Sequence, residues 1–319
     1  MTAKLIAFAK KWTLPLGMLA GVAVYLMFHF FTFLAPLKAV VTEISHYIMP
    51  FFIFVMLFAT FLRVNPRSMR LCRWHTSLLA LQLACCLLIA LPLHFFPQFS
   101  YGVVAQGALV CLIAPTGTAA AVIAVRLGGN ETTLTTYTIL SSLIAAVMVP
   151  LVLPLVELHA AGSFMQQFLL ILQHVFPLLI CPFLAAWALR EFAPALHQKI
   201  TQLFGDLAFY LWGVSLVIAI GLTLRSVANS HFDTHVLWLL AGSGLAACLW
   251  QFGAGKMAGR YFNDYIACGQ GFGQKNTLLA IWVAYTYLSP VISIAPSSYI
   301  LFQNIVNSWQ AWQRETVRL

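Results

Sequence analysis

Gly269-Gln270-Gly271-Phe272-Gly273-Gln274-Lys275-Asn276-Thr277 places a lysine inside an apolar run that extends from about Tyr265 to Leu288. A run of that length spans a bilayer, which leaves the Lys275 ammonium roughly ten residues from either surface. A four-carbon stem does not reach water over that distance. A fixed charge at this depth is costly, and it marks a functional position.

The rest of the chain agrees with a membrane setting. Of its 319 residues 61% are hydrophobic and 8% charged, and the mean hydropathy is +0.89. That balance describes an all-α polytopic membrane protein. The net charge of +9 is spread over short connectors rather than gathered on one face, which excludes nucleic acid as a partner and leaves the lipid bilayer. The seven cysteines lack metal-ligand or redox spacing and read as small buried hydrophobes. No metal or cofactor site is read.

Ten apolar stretches are long enough to cross a bilayer: 13–34, 44–64, 75–96, 101–125, 131–156, 165–190, 204–224, 235–259, 265–288 and 291–312. The first, preceded by Lys4, Lys10 and Lys11, is read as a spanning helix rather than a cleaved signal. With the amino terminus inside, both ends are cytoplasmic. Fourteen of the 17 basic residues then fall on the inner side, leaving Lys38 and Arg225 outside and Lys275 in the membrane. This predicts a multi-pass protein of a bacterial inner membrane.

Stretches four and nine are interrupted, one by Ala114-Pro115-Thr116-Gly117-Thr118 and the other by the glycine-rich run around Lys275. Each is the fourth stretch of a five-stretch half, so the halves 1–158 and 159–319 are expected to be inverted repeats whose broken helices cross. Pro115, Gly117, Gly271 and Gly273 supply the break, because proline removes a backbone hydrogen bond and glycine weakens a helix. Half-helix amino termini there would attract an anion. Pro50, Pro150, Pro177 and Pro182 are read as ordinary kinks.

At these residues the chain resembles the bile acid:sodium symporter family. Ala114-Pro115-Thr116-Gly117-Thr118-Ala119-Ala120-Ala121-Val122 is similar to that family's Pro-Gly-Gly-Thr-Xaa-Ser-Asn-Val crossover, and Gly271 to Thr277 to its Glu-Val-Gly-Met-Gln-Asn-Ser crossover. The resemblance implies a core domain from stretches 75–156 and 235–312 and a panel domain from 13–64 and 165–224. An organic-anion cavity would lie between them, served by alternating access. Where the family holds sodium with Ser-Asn, Glu and Gln, this chain has Ala120, Ala121, Gly271 and Lys275. Gln82, Thr138, Ser141 and Ser142 remain as oxygen ligands, and a one-residue shift would add Gln274 and leave Lys275 as an insertion. Sodium needs several oxygens and no adjacent cation, so its sites read as dismantled.

The chain therefore reads as a secondary transporter of an organic anion, bile-acid-like or a small carboxylate, coupled to protons or to no ion. Lys275, with Gln82, is the charge-substituting or proton-coupling residue, and Thr116, Thr118, Asn276 and Thr277 are the substrate-binding candidates. The alternatives are a sodium-coupled symporter of the same family and a membrane-bound ligand sensor without transport. An enzyme is excluded by the lack of deep acidic residues and of His-Glu pairs at helical spacing. His29, His94 and His174 are assigned to packing or interfaces, and His46 to the panel side of the cavity. Trp282, Tyr285, Tyr287, Trp309 and Trp312 are assigned to core and interfacial belts. Arg126 with Glu131 and Arg190 with Glu191 are read as connector charges, and Asp206 as a cap at the start of stretch seven.

Overall fold

The structure, a computed structural model, describes residues 13–157 and 162–317. Lys4, Lys10, Lys11 and Arg318 lie outside the described residues, as do the boundary at 158/159 and the side chains of Lys38, His46 and Asp206.

The described chain forms α1 (Thr13–Phe30), α2 (Ala35–Leu62), α3 (Arg73–Phe95), α4 (Gly102–Ile113), α5 (Ala120–Arg126) and α6 (Glu131–Val156). Beyond residue 161 follow α7 (Phe164–Phe192), α8 (Pro194–Ala228), α9 (Thr234–Phe262), α10 (Tyr265–Gly273), α11 (Thr277–Tyr287) and α12 (Ile294–Val317). Pro50, Pro92, Pro150, Pro154, Pro177 and Pro182 all sit inside uninterrupted helices, so proline alone does not end a helix here. Capping fixes several starts. Asn130 accepts the Thr133 N–H at 3.2 Å before α6, and Ser163 with Gln166 forms a capping box before α7.

Six segments are long and apolar enough to cross a bilayer: Glu43–Leu62, Arg73–Phe95, Glu131–Val156, Phe164–Phe192, Tyr210–Ala228 and Thr234–Phe262. The ten apolar stretches of the sequence are nonetheless all helical, stretches four and nine as the pairs α4/α5 and α10/α11. The difference has a chemical cause at the carboxyl end. In α12 a stripe of Gln303, Asn307 and Gln310 dilutes the apolar residues, and α4 and α11 are short because the chain breaks beside them.

Two readings of local charge change. Helix α8 begins at Pro194, so Asp206 lies within the helix and not at its start. The polar first turns of α8, including His197, Lys199 and Gln202, continue the helix without contributing hydropathy. Glu191 pairs with Arg67 at 2.6 Å rather than with its neighbour Arg190, whose guanidinium donates to the Leu62 carbonyl at 3.3 Å. The cysteines are not uniformly buried either: Cys181 is exposed on α7, and Cys72 and Cys85 are partly so. Trp282 is buried against Tyr287, whereas Trp309 and Trp312 are exposed.

Helix contacts recur in pairs. α3 packs on α6 as α9 packs on α12, α1 on α8 as α7 on α2, and α5 on α10 as α11 on α4. Between helices in lipid, close packing rather than exclusion of water supplies the attraction. Glycines accordingly mark the tightest approaches: a Cβ on Gly255 of α9 would stand 2.6 Å from the Cys268 carbonyl of α10, and one on Gly244 would strike the Ala295 carbonyl of α12. Helix α6 is the most sheltered of the six spans, 67% buried against 28% for α3, and it lines the region where the breaks meet. One apolar cluster surrounds α4 and α11, with Val110, Cys248, Ala280 and Tyr299. Another surrounds α5 and α10, with Trp74, Ala124, Tyr137 and Phe272.

Candidate functional site

The two breaks meet between these clusters. Thr116 and Lys275 form an isolated antiparallel bridge: the Gly117 N–H donates to the Gln274 carbonyl at 2.7 Å, and the Asn276 N–H to the Pro115 carbonyl at 2.8 Å. Lys275 is thus extended, in the break and not in a helix. Backbone freed by the breaks is satisfied in part by the opposite half, as non-helical chain within a bilayer requires. The crossing is possible because a Cβ on Gly117 would lie 2.8 Å from the Lys275 carbonyl oxygen.

Each bridge residue is wired in the same way. Its N–H is accepted by a side chain of the last helix of its own half, Thr116 by Ser141 Oγ at 2.8 Å and Lys275 by Gln303 Oε1 at 3.1 Å. Its side chain donates to the carbonyl end of the first half-helix of the other half. Thr116 Oγ1 reaches the Gly271 carbonyl at 2.7 Å, and Lys275 Nζ reaches the Ala114 carbonyl at 2.8 Å. One of these donors is a neutral hydroxyl and the other an ammonium.

Lys275 is 2% exposed, and among the described residues no carboxylate lies within ion-pair distance of it. Its Nζ also lies 5.2 Å from the centre of the Phe272 ring. Gln82 Nε2 joins it on the Ala114 carbonyl at 3.2 Å and reaches Leu112 and Ile113 at 2.9 and 3.2 Å. Gln251 Nε2 donates to Cys111, 3.3 Å away. Two glutamines therefore flank the carbonyl end of α4, and the Oε1 of each is buried without a hydrogen-bond partner among the described residues.

The other candidates are placed as follows. Asn276 Oδ1 accepts the Leu279 N–H at 3.2 Å and closes the amino end of α11, and Thr277 Oγ1 accepts from Gln303 Nε2 at 3.5 Å. Thr118 is only half-buried, beside the exposed Ala119 at the start of α5. Thr138 and Ser142 return their hydroxyls to carbonyls four residues back on α6, at 3.0 and 2.9 Å, and Gln274 Oε1 accepts from Asn307 at 2.6 Å. A Cβ on Gly271 would stand 2.9 Å from the Tyr137 ring, and one on Gly273 would overlap the Phe252 ring. Three cavities that open between described residues, beside α3/α6/α10, α1/α2/α8 and α4/α9, are not lined by the bridge residues.

A second polar array was not singled out from the sequence. Gln310 and Asn307 both accept from Gln270 Nε2, at 3.3 and 3.0 Å, Asn307 passes the chain to Gln274, and Tyr299 donates to the Gly273 carbonyl at 2.7 Å. Gln303, Asn307 and Gln310 recur at helical spacing in α12, and Gln270 and Gln274 stand four apart. That periodicity was the available signal. Of the histidines, His94 and His174 contact carbonyls at Leu155 and Leu170, while His29 is exposed and stands against Tyr25 and Phe30.

No curated protein matches the chain. A family model described as the Sodium Bile acid symporter family matches residues 50–230, more than half of the chain, from within α2 through α8 and including the first break. With that match and with helices that can cross a bilayer six times, this multi-pass membrane protein belongs to the Sodium Bile acid symporter family.

Proposed function

We propose that this protein is a secondary transporter of an organic anion that works by alternating access without sodium coupling, with Lys275 supplying the fixed positive charge. The observation that carries this reading is the unequal wiring of the two bridge residues. Thr116 caps the opposite half-helix with a neutral hydroxyl, so capping does not require the charge that Lys275 brings. A buried ammonium without a carboxylate partner is costly, and an anionic substrate supplies the missing countercharge.

The sodium reading has less support. At the position matching the family's glutamate, the Tyr137 ring fills the space a side chain at Gly271 would need. Ser141 Oγ and Gln274 Oε1 already accept hydrogen bonds, and the Ala114 carbonyl is occupied by two N–H donors. Loss of the Lys275 proton in one half of the cycle is the corresponding route to proton coupling.

Ten crossings in two inverted halves accommodate the recurrence of the helix contacts. The core then comprises α3–α6 and α9–α12, and the panel α1, α2, α7 and α8. Both termini face the cytoplasm of an inner membrane. Thr118 is the substrate-binding candidate nearest to open space, and Thr116, Asn276 and Thr277 hold the crossover around it. The amino end of α11 is closed by Asn276, so attraction of the anion falls to Lys275 rather than to that helix terminus.

Uptake into proteoliposomes tests the reading, with a radiolabelled conjugated bile acid and a small keto acid, under sodium, choline and pH gradients, for wild type and Lys275→Gln. Saturable uptake indifferent to sodium and lost in the variant is expected. Sodium-dependent uptake that survives in the variant would overturn it. Saturable binding without flux would instead identify a ligand sensor.

A further inference from the structure

A cavity of about 410 Å³ opens between α1, α2 and α8, on helices that do not carry the bridge. Its residues on α8 follow one face of that helix from Val217 and Ile218 through Gly221 and Leu222 to Arg225 and Asn229. Apolar residues, Val24 and Phe28 of α1 among them, make up most of the rest of the wall. Polar groups gather toward the carboxyl ends of α1 and α8, where Tyr25, His29, Arg225 and Asn229 line the wall. From Ile218 to Arg225 is about 10 Å along the axis at 1.5 Å per residue.

Arg225 is also one of two basic residues that violate the inner-side bias of the whole chain. A guanidinium at the end of an otherwise apolar slot complements one kind of molecule, an apolar body of about that length with a single anionic head. We infer that the α1/α2/α8 cavity is a second binding site, for an amphipathic anion, separate from the Lys275 crossover. The headgroup sits between Arg225, His29 and Asn229, and the apolar body lies along Ile218 and Leu222. The inference does not depend on transport or on its coupling ion.

Equilibrium binding of radiolabelled laurate and cholate to the full-length protein tests it, in nanodiscs of neutral phosphatidylcholine. Gly221→Leu is the first variant. A Cβ there meets the Gly21 carbonyl oxygen at an ordinary contact distance of 3.7 Å, and Gly221 lines the cavity. Gly221→Leu and Arg225→Gln are each expected to weaken binding by about tenfold or more. Arg225→Lys retains most of it, and the losses in Gly221→Leu and Arg225→Gln persist in a Lys275→Met background, where the crossover no longer contributes to binding. Wild-type melting temperatures in these variants serve as the control for folding. Wild-type binding by both Gly221→Leu and Arg225→Gln would overturn the inference, as would the absence of any further loss when either is added to Lys275→Met. Repeating the titration in phosphatidylglycerol discs identifies the source of the ligand. Competition that requires Arg225 points to a lipid headgroup, and undiminished binding of the probes points to a soluble anion.

Discussion

The break between α4 and α5 and the break between α10 and α11 share one wiring diagram and differ in charge. Both place an extended residue at the bridge, and both hand its N–H to the last helix of the same half. The side-chain donor in the first break is a threonine hydroxyl, and in the second a lysine ammonium. Tyr299 and Gln303 of α12 stand four apart, as Tyr137 and Ser141 of α6 do. Tyr299 caps the Gly273 carbonyl, whereas the Tyr137 hydroxyl is buried without a hydrogen-bond partner among the described residues. A crossing of this geometry therefore needs donors at the bridge but not a charge. The charge at the second break is the feature on which the proposed function turns.

Lys275→Met tests that separation most severely. Removing one partner of a desolvated charge pair costs about 2–5 kcal/mol of binding, so uptake at low substrate should fall at least about thirtyfold. Replacing a buried charge with an apolar side chain is often neutral or stabilising, so the melting temperature should hold or rise. Parallel uptake and melting curves measure both, and a variant that melts early but transports normally would make Lys275 structural.

Gly117→Ala attacks what the breaks have in common. The added methyl meets the Lys275 carbonyl oxygen at 2.8 Å, and overpacking of this kind costs about 1–3 kcal/mol. Thermal unfolding should show a lower midpoint and uptake should fall with it, in contrast to Lys275→Met. Thr116→Val removes the hydroxyl donor to the buried Gly271 carbonyl for about 1–3 kcal/mol and should leave more uptake than Lys275→Met does. If Thr116→Val abolished uptake while the protein stayed folded, the two breaks would be functionally equivalent and the contrast between them would fail. Thr138→Val should cost about 0.5–1.5 kcal/mol of stability, the worth of a hydroxyl bond within its own helix. A large sodium-dependent loss of uptake in that variant would restore an ion site on α6.

Much of the fold is legible in the chain because its signals are local. Apolar runs set the helices, and Pro115 and Gly117 with Gly271 and Gly273 set the two breaks. Proline by itself was ambiguous: Pro150 and Pro177 lie inside continuous helices, and what distinguishes Pro115 is the partner backbone that receives its freed carbonyl. The start of α8 at Pro194 was missed because its first turns are polar. The amide array on α12 was visible as a stripe at helical spacing, but the residues it holds were not, since Gln270 and Asn307 are 37 positions apart.

The sequence by itself determined that this is a helical membrane protein with a lysine inside an apolar run and two interrupted stretches, and it carried the resemblance to the family. Hydropathy, proline and glycine act over a few residues, so each can be read where it stands. Only the tertiary structure decided that Lys275 meets the Ala114 carbonyl 161 positions away, that Thr116 mirrors it, and that Tyr137 takes the space beside Gly271. Those contacts arise when two separate breaks approach closely enough to satisfy each other's backbone, and no local propensity encodes which groups then face one another.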